Sequence, residues 1–369
     1  MKILINTDQI YLHGGIEKVM ATKVNYWSNL PETEVYIVTT EQKEKLPCYE
    51  LDPRVKLIDL GVNYDRSKSY FSFQNLQKSI SHYQKQKKVF KNLRPEIIIS
   101  PNYNFDHYWL PLIKQKAQLL KERHSSRYLE EVQRKSGSFI SKLKFAINDW
   151  IETKYDRIVV LNKDEVQYVK SNNAVVIPNP VELSNLRADV SNKRIIAAGR
   201  ISPVKGFNDL IEAFSRAHVD FPDWQLHFYG QDYLGTQKQL QKQIGSLNLS
   251  QSIIFKGNVD HLPTIMANYS IYAMTSETEC FPMVLLEALS VGLPVVSYDS
   301  PTGPRNILIN GKDSYLVPYK KIDIFANRLK ELMNDELLRK TLADQGVENV
   351  SRFSIETVMT KWTALFKKS

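Results

Sequence analysis

Two glutamates eight residues apart, Glu279 and Glu287, are the residues in this sequence best spaced for chemistry. They stand in Thr275-Ser276-Glu277-Thr278-Glu279-Cys280-Phe281-Pro282-Met283-Val284-Leu285-Leu286-Glu287. The apolar run Ile271–Met274 before this segment has strand character, and Pro282 suits the first turn of a helix. Glu279 is thus predicted in the loop before a helix and Glu287 about a turn inside it. Leu285, Leu286, Ala288 and Leu289 flank Glu287, so it is predicted half-buried, and a carboxylate there needs partners. Sugar and ribose hydroxyls suit it, because one carboxylate accepts from two vicinal O–H groups. The backbone of Phe281, Pro282, Met283 and Val284 would face the same cleft. A helix-capping glutamate and an ion-paired glutamate account for either residue alone, less readily for both.

A second constellation is Ala198-Gly199-Arg200-Ile201-Ser202-Pro203-Val204-Lys205-Gly206-Phe207, between a strand-like and a helix-like run. Gly199 allows a tight exit from the strand. Arg200 and Lys205 flank a short loop and can converge on one diphosphate, Arg as a rigid fork and Lys as a point charge. Two solvated surface cations read equally well. A third turn, Gly14-Gly15-Ile16-Glu17, opens a helical pattern. Glycines let the backbone approach a phosphate, and a helix N-terminus offers free N–H groups and a positive dipole end. An ordinary loop-to-helix turn fits the same residues.

The elements that must position these residues alternate along the whole chain. In the first half, strands are predicted at Lys2–Asn6, Val35–Thr39, Val55–Leu60, Glu96–Ser100, Leu119–Arg123, Asp156–Leu161 and Val175–Ile177, with amphipathic runs at Ile16–Leu30 and Ser72–Asn92. The pattern breaks near Pro178-Asn179-Pro180 and restarts. Strands follow at Arg194–Ala198, Gln225–Tyr229, Ile253–Lys256, Ile271–Met274, Pro294–Ser297 and Ser314–Val317. Helices are predicted at Asn208–Ala217, Lys238–Leu247, Val284–Val291 and Ile322–Asn334, and Ile355–Lys368 is amphipathic. This is the alternation of a parallel sheet wrapped by helices, met twice. It implies an α/β protein of two Rossmann-like domains facing a cleft. The expected boundaries are 1–180, a linker at 181–192, 193–350, and a C-terminal helix at 351–369 that crosses back to the first domain.

The composition agrees. The 369 residues, 43% hydrophobic and 24% charged, exclude a disordered chain, a collagen-like fibre and a small disulfide scaffold. Cys48 and Cys280 are the only cysteines, which points to a reducing compartment. No signal-peptide pattern or run of about 18 apolar residues is present, so a cytoplasmic protein is expected. The net charge of +9 is uneven: residues 78–145 hold 15 Lys and Arg against 5 Asp and Glu. Such an excess attracts phosphates, anionic lipid or nucleic acid, or is simply a solvated helical face.

Together the motifs resemble the retaining glycosyltransferases of family 4, which have GT-B architecture. The resemblance rests on Gly14-Gly15, on Gly199-Arg200 with Lys205-Gly206, and on Glu279 with Glu287. Ile177-Pro178-Asn179-Pro180, Phe255-Lys256-Gly257-Asn258-Val259 and Ala288–Val296 support it. It covers the second half almost end to end and the first half in patches. It implies that Arg200 and Lys205 bind the donor diphosphate and stabilise its developing charge, with Gly15 and Gly14 contacting the same phosphates from the other domain. It implies that Glu279, with the backbone of 281–284, holds the donor sugar, that Glu287 binds the ribose, and that Phe255-Lys256-Gly257 holds the nucleobase. Family members often place a histidine near the donor sugar. His124, after Leu119–Arg123, fits that place, and His107 competes for it.

One departure is Cys280, where the family usually has glycine; a side chain there would reshape the donor-sugar pocket. No D-x-D triplet occurs, so metal-independent donor binding with no cofactor is expected. Ser300-Pro301-Thr302-Gly303-Pro304 resembles members that build capsule and exopolysaccharide. The implied reaction moves a hexose or N-acetylhexosamine from a nucleotide sugar, UDP first and GDP-mannose second, to a glycan acceptor, polyprenyl-diphosphate-linked in many relatives of this kind. The basic 78–145 region, with Phe139, Leu143, Phe145 and Trp150, would dock on anionic membrane at its cytoplasmic face. Competing readings are a sugar-nucleotide epimerase or phosphorylase on the same fold, a non-catalytic GT-B partner subunit, and a nucleic-acid binder. No binding module supports the last, so no nucleic-acid partner is expected.

Overall fold

The structure is a computed structural model and describes residues 1–101 and 104–366. It divides into two compact units, Met1–Pro180 with Val358 onward, and Val181–Thr357.

The first unit runs β1 (Lys2–Thr7), α1 (Gly15–Ser28), β2 (Glu34–Thr39), β3 (Lys56–Asp59), α2 (Phe73–Leu93), β4 (Ile97–Ser100), α3 (Leu110–Ile113), β5 (Gln118–Arg123), α4 (Tyr128–Ser136), α5 (Phe139–Glu152), β6 (Arg157–Val160) and β7 (Ala174–Val176). Its seven strands are all parallel, in the order β3-β2-β1-β4-β5-β6-β7. Central strands read as unbroken apolar runs because helices cover both faces. Ile3, Leu4 and Ile5 of β1 and Ile98 and Ile99 of β4 are wholly buried.

The second unit runs β8 (Arg194–Ala198), α6 (Phe207–His218), β9 (Gln225–Tyr229), α7 (Thr236–Ser246), β10 (Ile253–Gly257), α8 (Leu262–Met266), β11 (Ile271–Met274), α9 (Met283–Ser290), β12 (Val295–Asp299), β13 (Ser314–Pro318), α10 (Ile322–Asn334) and α11 (Glu336–Val350). Its six strands are parallel in the order β10-β9-β8-β11-β12-β13. One core joins Ile195 and Ala197 of β8, Leu226 and Phe228 of β9, and Leu210 and Phe214 of α6. Residues 181–192 are tied to this unit: Val181 N–H donates to Phe353 C=O, Ala188 to Val291 and Asp189 to Ala267.

The last helix, α12 (Ile355–Phe366), begins in the second unit, and its residues from Val358 onward count with the first. There Trp362 meets Trp27 of α1 edge-on at 5.9 Å, and Phe366 lies 5.5 Å from the same ring. The stretch expected as helix to Lys368 runs beyond the described residues at its end.

In both sheets the strand order reverses once, between β1 and β4 and between β8 and β11. Ligands of open α/β sheets bind outside the carboxyl ends of the strands at such points. The loops that matter are those leaving β8 and β11 in the second unit, and β1 and β4 in the first.

Candidate active site

The loop leaving β8 carries Gly199, Arg200 and Lys205, and the loop leaving β11 carries Glu279. They meet across the reversal point of the second sheet. Lys205 Nζ lies 2.7 Å from Glu279 Oε1, with both side chains largely buried. Backbone bonds fix the two loops to each other: Glu277 N–H donates to Val204 C=O at 2.8 Å, and Thr275 Oγ1 donates to Gly206 C=O at 2.9 Å. Gly206 is required there. Its φ is +60°, and a Cβ would sit 2.2 Å from the Thr275 carbonyl oxygen.

Glu279 is held from its other side. Its N–H donates to Pro301 C=O at 2.9 Å, and its C=O accepts from Thr302 N–H at 2.8 Å. The Ser300–Pro304 segment therefore positions the carboxylate. Beneath it, Tyr272 of β11 is fully buried and donates to Ala198 C=O at 3.2 Å. Burial first, then the Glu279 and Glu287 carboxylates, push its hydroxyl well above the usual phenol range. It stays protonated and ties β11 to the end of β8. Arg200 is exposed, with its guanidinium 5.2 Å from the Tyr233 ring.

Helix α9 begins at Met283 with Pro282 as its N-cap, one residue before the expected start at Val284. Met283 and Val284 are half-buried at its N-terminus. Phe281 is buried edge-on against Phe353, 5.5 Å away, and Cys280 is buried beside it. Glu287 is buried in the middle of α9. Phe255 stacks on Phe228 at 5.2 Å, so its ring belongs to the core. Gly257 stands at the sheet end, where its C=O accepts from Gly230 N–H at 2.8 Å. The Lys256 side chain instead lines a pocket with His227 and Tyr269.

Gly230 is a site residue the sequence reading missed. A Cβ on it would fall 2.0 Å from the Gly199 carbonyl oxygen, so only glycine lets β9 end against the Arg200 turn. Its signal was weak: a lone glycine after a strand, with nothing to say which backbone it would meet.

In the first unit, Gly14 caps α1 and Gly15 is its first residue. The carboxylate of Glu17 folds back against Gly14, taking a 2.8 Å hydrogen bond from Gln9 Nε2. The helix end thus already faces an anion of its own chain. His124 follows β5, with Nε2 3.5 Å from Glu122 Oε1. Burial would raise the Glu122 carboxyl, but Lys23 and His124 hold it down to about 2. His107 is buried and stacked on Tyr155, 3.2 Å from its hydroxyl. Burial, then Lys121, Arg127 and Arg123, push it down to about 2, so it is neutral. The two histidines have opposite surroundings, an acid for His124 and cations for His107.

A buried polar cluster near the β1–β4 reversal was also missed. Asp106 Oδ2 accepts from Asn6 at 2.6 Å and Gln86 at 2.9 Å, and Trp109 donates to Gln86 at 2.7 Å. Asp8, just past β1, pairs with Arg66 at 2.9 Å. Its carboxyl is pushed up to about 7 by burial, with Arg66 opposing and Asp106 and Glu41 adding. These residues are scattered over a hundred positions, and only the fold collects them. Among the described residues no group of three or more His, Cys, Asp or Glu is gathered to hold a metal.

The profile of the family described as "Glycosyl transferases group 1" matches residues 182–348. The match spans nearly the whole of the second unit. An exopolysaccharide phosphotransferase of Streptomyces coelicolor is 31% identical over 220 residues, covering 57% of this chain and 23% of the relative. The amylovoran biosynthesis glycosyltransferase AmsD of Erwinia amylovora is 29% identical over 220 residues, covering 56% and 61%. The chain thus spans less than two thirds of the length of either relative. A mutant of S. aureus TarM, solved with Fondaparinux, alpha-GlcNAc-glycerol and UDP, superposes with a TM-score of 0.77 at 16% identity over 99% of both chains. That likeness shows the GT-B fold of two Rossmann-like domains. The group 1 match contains Arg200, Lys205, Glu279 and Glu287, and leaves Gly14, Gly15 and His124 outside it.

Proposed function

We propose that the protein is a retaining glycosyltransferase that moves a hexose or N-acetylhexosamine from a nucleotide sugar to a glycan acceptor during cell-surface polysaccharide synthesis. The observation that carries this reading is the Lys205–Glu279 pair at the reversal point of a group 1 unit, with Arg200 exposed beside it. A cation and a carboxylate 2.7 Å apart are matched to a diphosphate joined to a sugar. On donor entry Lys205 leaves Glu279 for the diphosphate, and Glu279 accepts from sugar hydroxyls. Arg200 adds the forked contact. Glu287 takes the ribose, and the sheet end at Gly257 takes the base.

The C1–O bond to the diphosphate then breaks, and the cations stabilise the charge left on the phosphate. The acceptor oxygen bonds to C1 from the same face. Its proton passes to the departing phosphate oxygen, so configuration is retained without a carboxylate nucleophile. The cations do the work of charge stabilisation in this scheme, and no metal or cofactor is invoked. UDP is the preferred nucleotide; the UDP in the TarM complex supports this choice. GDP-mannose is the competing donor.

The acceptor is a lipid-linked glycan in this reading, met at an anionic membrane face. The support is on α5, where Phe139, Ile140, Leu143, Ile147 and Trp150 are all exposed along one stripe, with Lys142 and Lys144 exposed beside them. Apolar side chains flanked by lysines suit an interfacial helix. Among the described residues no helix is long and apolar enough to cross a membrane.

Thermal unfolding with UDP, GDP, ADP, dTDP and their sugar conjugates tests the donor assignment on wild type and Glu287→Ala. A ligand present at about 100 times its dissociation constant adds about 2.7 kcal/mol to native stability. Stabilisation by one nucleotide, weakened in the variant, supports the reading. Stabilisation by none removes the donor site and favours a non-catalytic partner subunit.

A further inference from the structure

The sheet of the second unit has a second polar concavity, on its face rather than at its carboxyl edge. Side chains alternate along β9: Leu226 and Phe228 enter the core, and Gln225, His227 and Tyr229 point the other way. Over that row lies a pocket of about 340 Å³, at the lower end of the range for small-molecule sites. Arg194 of β8 pairs in register with Gln225 at one end of the row. At the other end the β10 ladder is irregular between Phe255 and Gly257, and Lys256 there joins the lining. Among the described residues no acidic side chain lines the pocket.

The row is wired in one direction. Burial, then Lys256 and Arg194, push His227 down to about 4, so its imidazole is neutral at pH 7. Nε2 faces Gln225 Oε1 at 3.2 Å, which can only accept, so Nε2 carries the proton. Nδ1 then accepts from Tyr269 O–H at 2.7 Å, and Tyr269 accepts from Tyr229 O–H at 2.9 Å. Both hydroxyl protons are committed inward. Tyr229 oxygen is left as an acceptor in a pocket whose lining includes the two cations Arg194 and Lys256.

We infer that this pocket is a second ligand site, separate from the Lys205–Glu279 site, for a phosphorylated monosaccharide. The phosphate bridges Arg194 and Lys256, and a sugar hydroxyl donates to Tyr229. The inference stands on the pocket alone and does not depend on glycosyl transfer. It also gives the ligand a route to the donor loop. Tyr229 C=O accepts from Gly199 N–H at 2.9 Å, and Gly230 packs against the Gly199 carbonyl.

Isothermal titration with glucose 6-phosphate, inorganic phosphate and glucose tests the inference on wild type, Arg194→Ala/Lys256→Ala, Tyr229→Phe and Arg200→Ala/Lys205→Ala. The expected result is saturable binding of glucose 6-phosphate that weakens at least about tenfold in Arg194→Ala/Lys256→Ala. Tyr229→Phe should weaken glucose 6-phosphate while leaving inorganic phosphate unchanged. The Arg200→Ala/Lys205→Ala variant should bind as wild type does. No saturation by about 10 mM in wild type overturns the inference. So does binding that survives loss of Arg194 and Lys256 but not loss of Arg200 and Lys205, because the phosphate would then sit in the donor loop. Arg194 and Lys256 are exposed, so a matching melting temperature verifies that the variant is folded.

Discussion

At the scale of single residues, the carboxylates of the two units differ in what holds them. Glu279 has a lysine at 2.7 Å and two backbone bonds to Pro301 and Thr302. Asp8 has Arg66 but stands near Asp106 and Glu41, and burial outweighs the arginine, which puts its carboxyl at about 7. The native chain therefore keeps a proton on Asp8 that the unfolded chain gives up above about pH 4. Stability falls as pH rises from about 4 to about 7, because the native state binds the extra proton there. Asp8→Asn cannot titrate. Denaturant unfolding at pH 5 and pH 8 should show a loss between the two that is smaller in the variant, on the order of 2 kcal/mol. An equal loss in both proteins would mean that Asp8 ionises normally. Nothing in the sequence marks this residue, because its neighbours Arg66 and Asp106 reach it only through the fold. The placement of Arg200, Lys205 and Glu279 was legible because each lies in a loop that follows a strand, and that of Glu287 because the helix after Pro282 contains it.

At the scale of elements, the strands were the most legible part. Every strand of both sheets falls within a residue or two of its expected place, since a parallel strand buried on both faces is a short apolar run bounded by turn residues. Helices α4 and α5 were not singled out. Apart from Ile151, which joins the core of the first unit, their apolar residues are not buried: Phe139 is 81% exposed and Trp150 is 62% exposed. A stripe of this kind follows helical spacing yet gives no inward face to read. Wild type should co-sediment with vesicles containing phosphatidylglycerol at low salt, and Phe139→Asp/Ile140→Asp should stay in the supernatant. Retention of the variant on vesicles, or no sedimentation of wild type, would remove the membrane-facing role from α5. The variant should melt like wild type, because both side chains already face solvent.

At the scale of the whole molecule, two parallel sheets each reverse their strand order once, and the second unit sets a cation–carboxylate pair at its reversal. The periodic alternation of strands and helices made this doubling visible in the sequence. The wiring behind β9 was not visible, because it depends on which face each strand turns outward. In the proposed reaction Arg200 and Lys205 stabilise a departing nucleoside diphosphate. The most direct measurement is its release from the nucleotide sugar that best stabilises the protein, with a bacterial membrane extract as acceptor source. We expect wild type to release it with incorporation of sugar into lipid-extractable glycan. Lys205→Ala should lose at least about 100-fold in kcat/KM, the order expected when one charge-stabilising donor is removed. Equal turnover by wild type and Lys205→Ala, or binding without any release, would contradict the claim.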